Sequence, residues 1–139
     1  MRLNEHWQSQ FDDLRIPYRK QRWPVNALEI DPGDAASRGI KSSDAVVVEN
    51  DNVLTQTGGR SSASSEAVAY VSDIVPPGVT CVYFNHGQVR LDTAANSVSP
   101  GQTDPINNRY RFKLGKGCVR KTGETDLAET MSFAPRNLA

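Results

Sequence analysis

A mainly β fold, a small barrel or sandwich carrying one or two short helices, follows from three observations. Five or six short segments rich in Val, Ile, Tyr and Phe recur along the chain, Gly and Pro punctuate the intervals between them, and one stretch, Asp31 to Gly39, carries a full set of helix start and stop signals. The 139 residues suffice for one domain with a buried core and fall short of two complete ones.

Taken in order, Leu3, Trp7, Phe11 and Leu14 stand at helical spacing until Arg15-Ile16-Pro17, which reads as a short helix or an extended arm. Beyond Trp23-Pro24, Ala27-Leu28-Glu29-Ile30 is a compact strand. Asp31 then supplies an N-cap, Pro32 the first helical position, Asp34 a negative charge in the first turn, and Gly39 the stop. From Asp44 the pattern reads as two strands, Ala45 to Asn50 and Val53 to Gln56, joined by a tight turn at Asp51-Asn52. Thr57 to Ser65, with Gly58-Gly59 and a serine run, reads as a flexible surface loop. Glu66 to Val71 and Val79 to Phe84 are further strands on either side of the Pro76-Pro77-Gly78 turn. A long polar loop, Asn85 to Pro105, leads to Tyr110-Arg111-Phe112-Lys113-Leu114, whose alternation of apolar and basic side chains has the period of a half-exposed strand.

Composition excludes several classes. Sixteen Lys and Arg balance sixteen Asp and Glu, so no global field draws the molecule to nucleic acid or to an anionic membrane. No apolar run, Ala45 to Val48 included, approaches the roughly 20 residues that span a bilayer, and the first residues lack the apolar stretch of a secretory signal. Cys81 and Cys118 stand without a second Cys or His at ligand spacing, against a zinc or iron–sulfur site. They are read as two free thiols with Cys81 buried, a disulfide between them being the alternative. No Gly-x-Ser-x-Gly elbow or Gly-rich phosphate loop occurs, and His6 and His86 are the only histidines. From the residues alone no catalytic constellation is assigned.

Two features exceed this background. Between Asp104 and Lys121, six cations (Arg109, Arg111, Lys113, Lys116, Arg120, Lys121) face one acid. The strip suits phosphate, or else it is a solvated strand face balanced by the acidic stretch Glu29 to Asp51. Because Tyr110 and Phe112 alternate with Arg111 and Lys113, one strand face cannot offer both stacking and phosphate contacts, which argues against single-stranded nucleic acid. The loop from Asn85-His86-Gly87 to Asn96-Ser97 gathers amides, an imidazole and a hydroxyl after a strand end. Asparagine presents a donor and an acceptor on one rigid group, as a heterocycle edge requires, although loop asparagines also serve simply as turn formers.

The order of segments resembles a known family. Asn26-Ala27-Leu28-Glu29-Ile30-Asp31-Pro32-Gly33-Asp34-Ala35-Ala36-Ser37-Arg38-Gly39-Ile40-Lys41-Ser42-Ser43-Asp44 is similar to a passage of the C-terminal molybdopterin-dinucleotide-binding domain of the dimethyl-sulfoxide-reductase superfamily. Asp73 to Val79 resembles that domain's Pro-Gly turn, Phe84-Asn85-His86-Gly87 stands where the family has a His-Trp segment, Asn96 matches an Ala-Asn asparagine, and Asp104-Pro105-Ile106 through Lys113 matches a run of the same spacing. Upstream, Asn4-Glu5-His6-Trp7-Gln8-Ser9 resembles the segment that leads into this domain. The closing stretch, from Asn107 through Gly117 and then Met131 to Asn137, is closer still to the arsenite-oxidase type, with iodate-reductase relatives not separable from it.

The resemblance implies a six-stranded double-psi β-barrel spanning residues 25–122, preceded by an arm, 1–24, and followed by a tail, 123–139, packed on the barrel. It implies one molybdopterin guanine dinucleotide as cofactor, with molybdenum held by the dithiolenes of the pterins and not by this chain. Carried over residue by residue, His6, Trp7, Gln8 and Ser9 contact pterin or diphosphate, Asn96 bonds a pterin edge, Lys113 brings an ammonium to the cofactor, and Asn85 and His86 lie towards the metal. No catalytic or metal-ligating residue is expected here. The partners implied are the remaining domains of a molybdenum oxidoreductase large subunit, without nucleic acid or membrane, and the parent family's address is periplasmic. Alone, one wall of such a pocket should not turn over, and a stand-alone non-enzymatic module on the same barrel is the alternative reading.

Overall fold

A computed structural model describes residues 26–83, 95–109 and 115–125. Strand β1, Ala27–Ile30, is central, with all four residues buried. Apolar Leu28 and Ile30 point to one face of the sheet, Ala27 and Glu29 to the other, as the two-residue period of a strand demands. Helix α1, Pro32–Ser37, follows at once. Its start is local chemistry: the Asp31 carboxylate accepts from the amides of Gly33 (2.8 Å) and Asp34 (3.1 Å), and Pro32 occupies a position whose missing N–H costs nothing. Gly39, at φ +63°, takes the left-handed conformation that ends the turn.

Strand β2 is Asp44–Leu54, β3 Arg60–Val71, β4 Thr80–Val82 and β5 Cys118–Glu124. They form one mixed sheet in the order β4-β1-β3-β2-β5. β1 runs parallel to β3, Ala27 opposite Val68 and Ile30 opposite Val71, while the β1–β4, β2–β3 and β2–β5 pairs are antiparallel. The parallel pair needs a crossover, supplied by α1 and the outward run of β2, with β3 returning between the two. The principal core lies on one face: Leu28, Ile30, Val46, Val48, Ala67, Ala69 and Val119 from the sheet, and Ala35 and Ile40 from α1 and the stretch after it.

The mainly β class stands as expected: the described strands make an open five-stranded sheet, and no pairing among the described residues joins β4 to β5 into the six-stranded double-psi barrel. The strand expected at Tyr110 to Leu114 lies outside the described residues. Within the sheet, two expectations are corrected. The two strands expected from Ala45 to Gln56 are one, because Asp51-Asn52 forms not a turn but a register shift between Asn50 and Val53. The serine run is not a loop: Ser61 to Ser65 pair with Val48 to Val53 of β2, and the connection shrinks to 55–59. β4 is three residues long, and β5, with a single buried side chain, carries too little alternation to be read beforehand. The Pro76-Pro77-Gly78 turn stands as expected, Gly78 at φ +78° with its amide donating to Asp34 Oδ2 (2.6 Å).

Candidate functional site

Among the predicted site residues, Asn96 is the one within the described residues. His6, Trp7, Gln8, Ser9, Asn85, His86 and Lys113 all lie outside them. Asn96 sits on a single 3-10 turn, Ala95–Val98, with its side chain exposed. The turn closes through the Ser99 amide, which donates to Asn96 O (3.2 Å). A four-residue 3-10 turn has little stability of its own, so its position is set by what grips it.

Three contacts do so. The side-chain amide of Asn50, buried in β2, donates from Nδ2 to Val98 O (2.8 Å). The amide of Gly101 donates to Leu54 O (2.7 Å) at the end of the same strand. Gly115, two positions beyond Lys113 in sequence, packs so close that a Cβ there would lie 3.3 Å from Val98 O. Val98 itself packs against the core. The turn is thereby clamped to β2, and the exposed Asn96 on it carries an amide edge able to donate and accept at once.

The Asp104-Pro105-Ile106 motif is an Asx turn. The Asp104 carboxylate accepts from the amides of Ile106 (2.9 Å) and Asn107 (3.2 Å), and the Asp104 amide donates to Arg109 O (2.8 Å). This returns the chain towards the basic strip.

Within that strip, Arg120 pairs with Glu49 (2.7 Å), and Lys121 with Asp44 (3.0 Å) and Glu124 (3.2 Å). Two of the six cations are thus committed to carboxylates, and Asp44 and Glu49 belong to the acidic stretch read from sequence as the balancing face. Burial pushes the Asp44 carboxyl up, but the Lys41 amide and the Lys121 ammonium outweigh it and hold the group below the usual carboxylate range. The Arg120 hydrogen bond likewise lowers Glu49. Arg109 and Lys116 are exposed.

A second polar group went unread in the sequence. Glu29 is 3% exposed and stands opposite Tyr70 of β3 and Cys81 of β4. Its Oε1 accepts from the Tyr83 hydroxyl, and its Oε2 is buried with no hydrogen-bond partner. Burial, reinforced by the Glu29 charge, pushes up the Tyr83 and Tyr70 hydroxyls and the Cys81 thiol. Such a cluster holds protons and gives a poor nucleophile at Cys81. No cluster among the described residues could hold a metal ion, and no described helix is long and apolar enough to cross a membrane.

Comparisons with known proteins converge on one family. The family model described as "Molydopterin dinucleotide binding domain" matches residues 1–115. The iodate reductase subunit IdrA of Denitromonas iodatirespirans is 38% identical over 161 aligned positions, covering 99% of this chain and 17% of that protein. The periplasmic nitrate reductase of Desulfovibrio desulfuricans is 31% identical, over 87% of this chain and 14% of its own length. The arsenite oxidase subunit AioA of Herminiimonas arsenicoxydans is 32% identical, over 90% of this chain and 13% of its own length. The chain therefore spans less than a fifth of each of these relatives.

Proposed function

Because the chain belongs to the molybdopterin dinucleotide binding domain family, we propose that it forms one wall of the site for a molybdopterin guanine dinucleotide in a molybdenum oxidoreductase related to iodate reductases and arsenite oxidases. The observation that carries this reading is the exposed Asn96 amide on a turn clamped to β2. A rigidly held donor–acceptor pair suits a pterin edge with adjacent N–H and C=O groups, so the chemistry of the placed residue fits the group. When bound, the cofactor supplies the molybdenum and its redox chemistry.

This chain's own part is to bind and orient. Asn96 bonds the pterin edge, Lys113 sets a positive charge beside the cofactor, His6, Trp7, Gln8 and Ser9 of the arm at 1–24 contact pterin or diphosphate, and Asn85 and His86 lie towards the metal. The remaining walls come from the other domains of the large subunit, so no turnover is expected of this chain by itself. The identities favour the iodate-reductase relatives over the arsenite-oxidase type, 38% against 32%. A periplasmic setting accords with the similarity to a periplasmic nitrate reductase.

The test is cofactor content. In the polypeptide as its gene encodes it, purified from cells that make the dinucleotide, Asn96→Ala and Lys113→Ala should each lower retained pterin dinucleotide about tenfold, the worth of one good polar contact. The fluorescence of the oxidised pterin after release measures it. Retention equal to wild type in both variants overturns the assignment.

A further inference from the structure

Asn50 lies 46 positions before Asn96 in the sequence, yet its side chain reaches the turn that carries it. We propose that Asn50 is a positioning residue for the cofactor site, its carboxamide fixing the Asn96 turn against β2. The inference rests on the reading of Asn96 given above.

Both ends of the Asn50 amide are committed. Oδ1 accepts from the Asn52 amide (2.9 Å), spanning the register shift in β2. Nδ2 donates to Val98 O (2.8 Å), the last residue of the turn. The first bond turns the side chain, and the second uses that orientation to hold a segment 48 residues away. Asn50 is itself 9% exposed, so water competes weakly for the bond.

The same carbonyl is approached by Gly115, where a Cβ would lie 3.3 Å from Val98 O. Val98 O is held by the Asn50 amide and closely packed by Gly115, and Asn96, two residues earlier, inherits its place. The irregularity in β2 thus has a use: it leaves the Asn52 amide to the Asn50 side chain rather than to the ladder.

Asn50→Asp separates the two bonds. It keeps the acceptor for Asn52 and replaces the donor to Val98 O by an oxygen that repels it. In the cofactor-loaded polypeptide, Asn50→Asp should speed hydrogen exchange at the Ser99 amide and retain about tenfold less dinucleotide. Asn96→Ala should lose dinucleotide to the same degree without changing Ser99 exchange, and the double variant should be no worse than the weaker single one.

If Asn50→Asp retains dinucleotide like the wild type while Asn96→Ala loses it, the positioning role fails and the reading of Asn96 survives. Should Asn96→Ala retain it fully, both fall. For the event that Asn50→Asp does not fold, the unaltered chain gives its own readout: the Asn50 carboxamide protons should exchange several-fold more slowly with cofactor bound, and an unchanged rate overturns the proposal.

Discussion

A carboxylate as buried as Glu29, with one oxygen on a hydroxyl and the other on nothing, depends on that hydroxyl. Tyr83→Phe removes it and leaves both oxygens unpaired, so the chain should lose about 1–3 kcal/mol of stability in urea denaturation near neutral pH. Alkali gives a second signature. The Tyr83 hydroxyl is pushed above its ordinary 10.0 by burial and by Glu29. Below pH 10 both folded and unfolded chains keep the proton and the stabilisation is complete. As pH rises past 10 the unfolded chain releases the proton first, and stability falls by about 1.4 kcal/mol per pH unit until the folded hydroxyl also ionises. Tyr83→Phe should flatten that decline. None of this was legible in Ala27-Leu28-Glu29-Ile30, where the acid counted only as the start of the acidic stretch Glu29 to Asp51, because its burial comes from partners 41 and 52 positions away, Tyr70 and Cys81.

The elements that could be read in advance are those whose cause is local. The Asp31 cap and Pro32 lie within a few residues of the amides they serve, and Gly78 takes its left-handed turn beside the two prolines that shape it. β2 and β3 resisted for the opposite reason. Ser61 to Ser65 has loop chemistry, yet it finds its backbone partners in β2 and the ladder overrides the composition, while Asp51-Asn52, with turn chemistry, sits at the register shift where the Asn52 amide goes to the Asn50 side chain instead of to a neighbouring strand. β5 is a further case: an edge strand held by Val119 in the core and by Arg120 and Lys121 on the carboxylates of β2. Its entrance is tight, since a Cβ on Gly117 would lie 2.9 Å from Glu49 O and 3.0 Å from Val48 Cγ1. Gly117→Ala must therefore push β5 off β2, costing about 1–3 kcal/mol. Hydrogen exchange should show the loss first at the β5 amides, and an unchanged pattern there would contradict the tight approach.

At the scale of the molecule, the strand order settles a question that composition left open. Cys81 and Cys118 belong to opposite edges of the sheet, four strand spacings or about 19 Å apart, where a disulfide needs its Cα atoms within roughly 7 Å. Both thiols are free, and titration of the denatured, unreduced chain should find two per molecule. Of the candidate site, Asn96 alone falls within the described residues, and the position of its turn was not legible beforehand, because the turn is placed by Asn50 and Gly115 rather than by its own sequence neighbours. The same long-range logic governs β1. Ala27–Ile30 is synthesised before both of its neighbours in the sheet, the nearer of which begins at Arg60 and pairs with it about forty residues downstream. At a synthesis rate of ~5–20 residues per second, the nascent chain carries an unpartnered, half-apolar strand for about 2–8 s, an interval in which escape from aggregation depends on the charges that flank it and on whatever holdase shelters the tunnel exit.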